Sequence, residues 1–186
     1  VESQVEDLRA LLSALAFEEP VDLVGHSYGA VIALAFALEY TAKVRRLVLV
    51  DPPLPPTDSG AVLRFLGQPP ETIAASLPES LRGLMTTDGT SRRSRNLEQS
   101  LRFLAEETNL PAALAEAWDA PDDLLESLPL PTLLLGGTES PCHVAVERLA
   151  ALIPDHRLVW IKAGHFLPLE ATAEVTREIG AFLSDG

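Results

Sequence analysis

The sequence predicts an α/β fold, in which a mostly parallel sheet carries helices on both faces. Strand patterns alternate with helical patterns along residues 1–51 and again along residues 129–186, and such alternation is typical of parallel sheets. The strand patterns are apolar throughout, as expected where helices cover both faces of a sheet. Residues 52–128 show no strand pattern and are interrupted by prolines, so we predict a helical insertion between two parts of one core.

The individual elements follow from periodicity and from the residues that begin or end them. Ser3 and Glu6 form a capping-box pattern ahead of apolar residues at helical spacing, which predicts the start of the first helix. Asp51 is followed by two prolines, which end the second strand. Core helices are predicted at 3–17, 30–40, 142–152 and 170–183, and strands at 21–24, 46–50, 131–135 and 157–161. Short insertion helices are predicted at 60–66, 71–77, 79–86, 91–107, 111–118 and 121–127.

Composition and charge exclude several classes of function. The formal net charge of −13 repels phosphate backbones, so we expect no nucleic-acid partner. No apolar run is long enough to span a membrane, and residues 1–4 show none of the features of a signal peptide. Cys142 is the only cysteine, which excludes an internal disulfide and fits a reducing, cytoplasmic location. No cysteine–histidine cluster has zinc-site spacing, and we expect neither a metal nor an organic cofactor.

A glycine-rich turn joins the first strand to the second helix and carries a serine. Its sequence is Gly25-His26-Ser27-Tyr28-Gly29, a pattern that places a nucleophilic serine on a sharp turn between strand and helix. We expect a side chain at position 25 or 29 to crowd the neighbouring strand and helix. Ser27 is therefore the candidate nucleophile. The backbone N–H of Tyr28, at a helix N-terminus, is the candidate donor to a developing oxyanion.

Four segments follow one another in the order and spacing of a known family, namely 21–30, 47–51, 131–136 and 164–170. They resemble the α/β-hydrolase family from its fifth core strand to its end, and within it the branch of cap-bearing esterases, C–C hydrolases and haloperoxidase-like enzymes. The resemblance implies the α/β-hydrolase fold and a hydrolase activity. It also implies that residues 52–128 form the cap. These residues stand where the family has its cap, but their sequence does not resemble the cap sequences of the family.

His165 is the candidate base. It follows the last strand, which places it at the carboxyl end of the sheet, where ligands bind in open α/β folds. There its imidazole can take the hydroxyl proton of Ser27 and return it to the leaving group, and this chain order agrees with that of the family. The family uses the position of His26 structurally. We expect His143 to begin a helix and His156 to lie in a polar turn.

The acid that orients the base is missing from the position that the resemblance implies. The family usually places it in the turn after the third of these strands, where Ser140 stands here, and a hydroxyl cannot stabilise an imidazolium as a carboxylate does. Asp51 is the first candidate, because some members of the family carry their acid at the end of the preceding strand. Glu139, one residue from the usual position, is the second. In a third hypothesis the site has no acid and is weakened.

In the family, four further strands and an oxyanion loop precede the first helix seen here. The second oxyanion donor normally comes from that loop. Without those strands, the apolar strand at 21–24 has an open edge, which favours aggregation. We therefore expect a separate N-terminal segment or chain to complete the fold.

The leading functional hypothesis is a serine hydrolase that cleaves or transfers an ester or thioester acyl group of a small molecule. One alternative is a C–C bond hydrolase, or a non-hydrolytic lyase or cyclase of secondary metabolism, on the same fold. Another class is a pseudo-enzyme or ligand-binding module. The basic cluster Arg92-Arg93-Ser94-Arg95 could dock the anionic group of a carrier-bound acyl chain, although such runs more often form a solvated helix face. The sequence assigns no residue to substrate binding.

Overall fold

The structure, a computed structural model, describes residues 1–57 and 118–184, together with 99, 103, 107 and 108. The chain forms two compact units, of which the first comprises Val1–Thr57 and Trp118–Gly186 and the second Asp58–Ala117. The second unit lies within the predicted insertion, whereas residues 52–57 and 118–128 belong to the first unit. The helices predicted between 60 and 118 fall almost wholly outside the described residues.

The first unit contains strands and helices that alternate along the chain. The strands are β1 Val21–His26, β2 Val44–Val50, β3 Thr132–Gly137 and β4 His156–Ile161. The α-helices of its described residues are α1 Glu2–Ala14, α2 Tyr28–Glu39, α3 Asp122–Glu126, α4 His143–Leu152, α5 Leu167–Glu170 and α6 Thr172–Ser184. A short 3-10 helix, Thr41–Lys43, leads into β2.

The four strands form one parallel sheet in the order β1-β2-β3-β4. His26 pairs with Val50, and Val50 pairs with Leu135. The carboxyl ends of the first three strands are therefore level, so the residues that follow these strands meet at the carboxyl end of the sheet. The predicted α/β fold with a parallel sheet is confirmed.

Two apolar clusters cover the two faces of the sheet. Alternate residues of β2 divide between them. Leu47 and Leu49 belong to the cluster that includes α1, α2 and α4, whereas Val48 and Val50 belong to the cluster that includes α5 and α6. All four residues are at most 1% exposed. Because helices cover both faces, β2 is apolar at every position from Leu47 to Val50, and β3 from Leu133 to Leu135.

Strands β1 and β4 form the two edges of the sheet in the described part of the chain. Val24 of β1 is 50% exposed and Trp160 of β4 is 36% exposed. Leu11 on α1 and Leu15, which directly follows α1, are 53% and 59% exposed. The apolar residues of β1 and α1 are thus only partly covered.

Two element predictions are wrong in detail. The first helix begins at Glu2, and its N-cap, Val1, makes no side-chain cap hydrogen bond. Glu6 does not close a capping box, because its carboxylate accepts hydrogen bonds from Arg9 and Tyr40. The terminal helix predicted at 170–183 is α6, which begins two residues later, at Thr172, and the short helix α5 before it was not predicted. The two helices are separated at Ala171, whose φ of −132° and ψ of 43° are not helical.

Among the described residues, no helix combines the length and the apolar character needed to cross a membrane.

Candidate active site

A tight turn between β1 and α2 carries Ser27. Its φ of 54° and ψ of −127° are a sparsely populated conformation that costs a non-glycine residue about 1–3 kcal/mol. Its backbone N–H donates to the carbonyl oxygen of Val50 at 2.9 Å, which extends the pairing of β1 with β2. A Cβ on Gly25 would lie 2.3 Å from the carbonyl oxygen of Gly29, so only glycine lets strand and helix approach this closely. Main-chain contacts therefore hold Ser27 at the carboxyl end of the sheet.

The glycine at the other end of the turn behaves differently from the prediction. Among the described residues, no atom beyond its chain neighbours and the backbone of α2 lies within 4 Å of a Cβ placed on Gly29. The predicted crowding at this position is wrong, because Gly29 lies in the first turn of α2 with its missing side chain directed to open space. The steric need for glycine rests on Gly25.

The side chain of His165 lies between Ser27 and Asp51. Its Nε2 is 2.8 Å from Ser27 Oγ, and its Nδ1 is 2.6 Å from Asp51 Oδ2. The side chains of His165 and Asp51 are 17% and 0% exposed, so water has little access to the pair. When Nδ1 carries the proton and donates to Asp51, Nε2 is free to accept the serine proton, which is the tautomer a general base needs.

Asp51 directly follows β2 and is fully buried. Its φ of 50° lies in the left-handed region, which aspartate tolerates better than most residues. Its N–H donates to the carbonyl oxygen of Leu135 at 2.8 Å. The N–H of Gly137 donates to Oδ1 at 3.1 Å, and the hydroxyl of Ser140 donates to Oδ2 at 2.5 Å. These contacts turn the carboxylate toward the end of β3, where it meets His165.

The turn after β3 and the loop after β4 pack backbone against backbone. A Cβ on Gly137 would lie 2.6 Å from the carbonyl oxygens of both Ala163 and Gly164. The N–H of Glu139 donates to the carbonyl oxygen of Ala163 at 3.0 Å. Because Gly137 has no side chain, the loop that carries His165 can approach Asp51.

A carboxylate that sequence reasoning missed holds the loop of His165. Glu170, the last residue of α5, accepts from the N–H of Gly164 at 3.0 Å and from the N–H of Phe166 at 3.1 Å. These two N–H groups flank His165 on either side. Glu170 ends the segment 164–170, but a carboxylate six residues after a glycine is no distinctive pattern, so the sequence carried little signal for this role.

His26 joins the turn of Ser27 to the loop of His165. Its Nε2 lies 2.8 Å from the carbonyl oxygen of His165. Burial lowers the pKa of His26, so the ring is neutral near pH 7 and its Nε2–H can donate to that carbonyl. His26 thus connects the turn of Ser27 to the loop of His165 through a main-chain carbonyl.

Other candidate residues lie apart from this hydrogen-bonded series. The side chain of Glu139 is exposed, and no hydrogen bond joins its carboxylate to His165 in the described part of the chain. His143 begins α4 as expected. His156 does not lie in a turn, because it begins β4 and pairs with Thr132 of β3.

Cys142 belongs to a small cluster of groups that can bind metals. The ligand atoms of Asp51, Cys142 and His165 lie within 4.8 Å of one another, and the thiol sulfur is 3.6 Å from Nδ1 of His165. Burial, together with the charge of Asp51, raises the pKa of the thiol to about 12, which disfavours the thiolate that a metal requires. A metal would also displace the proton that Nδ1 donates to Asp51. The cluster therefore suits proton transfer better than metal binding.

Tyr28 is the first residue of α2 and directly follows Ser27. The N-terminus of this 12-residue helix favours negative charge through the helix dipole. A carbonyl oxygen bonded to the carbon that Ser27 attacks can therefore develop its charge next to the N–H of Tyr28.

The family model described as the alpha/beta hydrolase family matches residues 2–178. This match covers most of the chain, and the chain belongs to the α/β-hydrolase family. The family and fold predicted from the sequence are confirmed, and membership supports the predicted enzyme class, a hydrolase.

Three proteins show how far the similarity extends. The chain is 50% identical over 50 residues to a 2-hydroxy-6-oxo-2,4-heptadienoate hydrolase of Pseudomonas putida, a match to 27% of this chain and 18% of that enzyme. A crystal structure of a meta-cleavage product hydrolase is 24% identical with a TM-score of 0.78, and the match covers 100% of this chain and 72% of that one. A thermophilic esterase from Thermogutta terrifontis is 26% identical with a TM-score of 0.66, over 96% of this chain and 70% of that one. The match to the curated enzyme thus spans less than a fifth of its length.

Proposed function

We propose that the chain carries the catalytic groups of a serine hydrolase that cleaves or transfers an ester or thioester acyl group. The hydrogen-bonded series from Ser27 through His165 to Asp51, at 2.8 and 2.6 Å, is the observation that supports it most directly. In this proposal Ser27 is the nucleophile, His165 the base and Asp51 the acid. A ligand-binding module has no need of a serine held in a strained turn against an oriented imidazole.

The proposed reaction begins when Oγ of Ser27 attacks the acyl carbonyl carbon while Nε2 of His165 takes the hydroxyl proton. The carbonyl oxygen becomes an oxyanion that accepts from the N–H of Tyr28, and Asp51 stabilises the imidazolium. The bond to the leaving group then breaks, and the leaving oxygen or sulfur takes the proton from Nε2. Water, deprotonated by His165, attacks the acyl ester of Ser27 and releases the acid. An alcohol or thiol in place of water gives transfer.

A second candidate is C–C bond hydrolysis, which the similarity to the 2-hydroxy-6-oxo-2,4-heptadienoate hydrolase supports. The same attack on a carbonyl would then expel a carbon atom, so the leaving group must delocalise a carbanion. A lyase or cyclase step in secondary metabolism is a further alternative on the same fold. The 26% identity to the thermophilic esterase over nearly the whole chain supports acyl hydrolysis as the first candidate.

The proposed substrate is a small acyl compound, free or bound to a carrier. The cluster at 92–95, which suggested a carrier, lies outside the described residues. The proposal places the enzyme in the cytoplasm, because its single cysteine, Cys142, is free and buried. It includes no nucleic-acid or membrane partner, in agreement with the net charge of −13.

A segment or chain outside residues 1–186 is proposed to complete the sheet along β1. The half-exposed Val24 on β1, with the exposed Leu11 on α1 and Leu15 just after it, supports it, because apolar groups at an open strand edge promote aggregation. Both solved relatives extend beyond this chain, which covers 72% and 70% of them. The added segment would also supply the second oxyanion donor. A 186-residue protein that is monodisperse and fully active alone would contradict this part of the proposal.

A fluorophosphonate probe tests the proposed nucleophile in the complete protein. An activated serine displaces fluoride from the probe and forms a stable phosphonyl ester. We expect labelling of the peptide that contains Ser27, and none in the Ser27→Ala variant. A folded wild-type protein that does not react would favour the binding module.

A pair of substrates separates the two hydrolytic candidates. Hydrolysis of p-nitrophenyl butyrate without hydrolysis of 2-hydroxy-6-oxo-2,4-heptadienoate would support acyl transfer. The reverse preference would support C–C bond cleavage. The Ser27→Ala variant serves as the blank for both reactions.

A further inference from the structure

Ser140 makes two directed hydrogen bonds in a buried position. Its side chain lies in the turn after β3, and the residue is 3% exposed. Its Oγ accepts from the N–H of Cys142 at 3.1 Å and lies 2.5 Å from Oδ2 of Asp51. Because the N–H of Cys142 can only donate and the carboxylate can only accept, the hydroxyl proton points to Asp51. The direction of this hydrogen bond is therefore set by the surrounding atoms.

Asp51 is a buried carboxylate that relies on hydrogen bonds. No lysine or arginine in the described part of the chain forms an ion pair with it. A buried charge without a cationic partner requires donors that replace its lost hydration. The donors that contact it are the N–H of Gly137, the hydroxyl of Ser140 and Nδ1 of His165.

Oδ2 of Asp51 is shared between two of these donors. Ser140 reaches it at 2.5 Å and Nδ1 of His165 at 2.6 Å. The N–H of Gly137 holds the other oxygen. Two fixed donors on two different oxygens define the plane of the carboxylate, so Ser140 determines where the lone pair of Oδ2 meets the imidazole.

We propose that Ser140 is a positioning residue that orients the carboxylate of Asp51 toward His165. The inference rests on the proposed function, in which Asp51 is the acid. Ser140 stands at the position where the resemblance implies a carboxylate. Its hydroxyl acts on the site indirectly, by donating to Asp51, the residue that follows β2. The turn after β3 thus still serves the base, with a donor in place of an acid.

The expected effect of removing the hydroxyl has a definite sign in the pH profile. His165 must be neutral to accept the proton of Ser27, so activity falls as pH decreases through the acidic limb. Without the hydroxyl of Ser140, Oδ2 of Asp51 keeps only one of its two donors, Nδ1 of His165. More of its negative charge then acts on Nδ1, and the imidazolium of His165 becomes easier to form. The acidic limb of kcat/KM then moves to higher pH.

Other titratable groups lie near this pair. The carboxylate of Glu170 on α5 accepts from the N–H groups on either side of His165. His26 contacts the loop of His165 from β1, and burial lowers its pKa. Cys142 approaches from the start of α4, and burial raises the pKa of its thiol to about 12. Burial therefore disfavours the charged form of both His26 and Cys142.

Four variants of the complete protein test the inference. Ser140→Ala removes the donor, Ser140→Thr keeps it, and Ser140→Cys fills the space with a weak donor. Ser127→Ala is a matched control, since Ser127 is exposed and its hydroxyl bonds a local carbonyl. We expect Ser140→Ala to lower kcat/KM about tenfold and to raise the acidic limb by about one pH unit. Ser140→Thr and Ser127→Ala should remain near the wild type, and Ser140→Cys should be intermediate.

A double-mutant cycle shows whether Ser140 acts through Asp51. In the Asp51→Asn background, Ser140→Ala should lower kcat/KM by less than about threefold, because the group that it orients is already lost. A full tenfold loss in that background would overturn the inference, as would an unmoved acidic limb or equal losses in the Ala and Thr variants. If Ser140→Ala does not fold, Ser140→Cys decides by the same criteria.

Labelling of the wild type by the fluorophosphonate probe keeps the two proposals apart. If the wild type does not react, the proposed function fails. If it reacts and the Ser140 variants show no change, only the positioning role fails.

Discussion

Replacement of Asp51 by asparagine removes the charge beside His165 while it preserves the size of the side chain. In the structure, Oδ2 lies 2.6 Å from Nδ1, and the side chain of Asp51 is 0% exposed. No other carboxylate in the described part of the chain contacts His165. The variant therefore isolates the role of one charge in the site.

The magnitude follows from the geometry of the pair. The two charge centres lie about 4 Å apart, and at an effective dielectric constant of about 20 their attraction is about 4 kcal/mol. Burial of the pair limits screening by solvent. The amide of asparagine can also donate to Nδ1, which favours the wrong tautomer of His165. A loss of about 4–5 kcal/mol in the transition state corresponds to a decrease of roughly 10³–10⁴ in kcat.

The assay is hydrolysis of a p-nitrophenyl ester by the complete protein, with a thermal melt to establish that the variant folds. We expect kcat to fall by roughly 10³–10⁴ with little change in KM, because the side chain of Asp51 is fully buried behind His165. The control is Glu139→Gln, which changes an exposed carboxylate and should keep kcat near the wild type. Near-normal turnover of Asp51→Asn, together with a large loss in Glu139→Gln, would refute the reasoning.

Three further predictions test the surroundings of the site. Gly25→Ala should destabilise the protein by about 1–3 kcal/mol in denaturant unfolding, since the new Cβ meets backbone at 2.3 Å, whereas Gly29→Ala should have little effect; equal effects would contradict the steric account. Glu170→Gln should lower kcat about tenfold at constant KM, because one of the two hydrogen bonds from the backbone to this side chain is lost. An unchanged kcat would show that Glu170 does not hold the loop of His165 in position. The double variant Asp51→Asn, Ser140→Asp should have a kcat at least about tenfold higher than Asp51→Asn alone. The reason is that the oxygens of the introduced carboxylate reach one bond further than Oγ of Ser140, which already lies 2.5 Å from Oδ2 of Asp51. No recovery would show that position 140 does not face the imidazole.

The parts of the site that the sequence predicted depend on local patterns. The turn of Ser27 lies within five residues between a strand and a helix, so its conformation follows from its own sequence. The position of His165 required one more step, namely that parallel strands end at the same edge. The pairing of His26 with Val50 and of Val50 with Leu135 shows why that step was sound.

The choice between Asp51 and Glu139 depended on contacts between distant segments. Asp51 reaches His165 because its backbone takes a φ of 50° and because Gly137 leaves room for the loop after β4. Neither condition can be read from the residues around Asp51. For the same reason, Ser140 appeared in the sequence only as the absence of an acid.

Glu170 and Glu6 illustrate the same limit from two sides. Glu170 bonds the backbone on both sides of His165, but its position in the chain resembles that of any surface glutamate. Glu6 matched a capping-box pattern, yet its carboxylate pairs with Arg9 and Tyr40. The donors that bind a carboxylate are those that the fold brings near it, and the local sequence determines only some of these donors.

The central claim is that Ser27 forms a covalent acyl intermediate with the help of His165 and Asp51. Pre-steady-state release of p-nitrophenol from an activated ester, combined with intact-mass analysis of the quenched enzyme, tests it most directly. We predict a burst of one product per active site and an acyl adduct on the peptide of Ser27, with a burst rate roughly 10³–10⁴ lower in Asp51→Asn. Turnover without a burst or adduct, or a burst that persists in Ser27→Ala, would contradict the account.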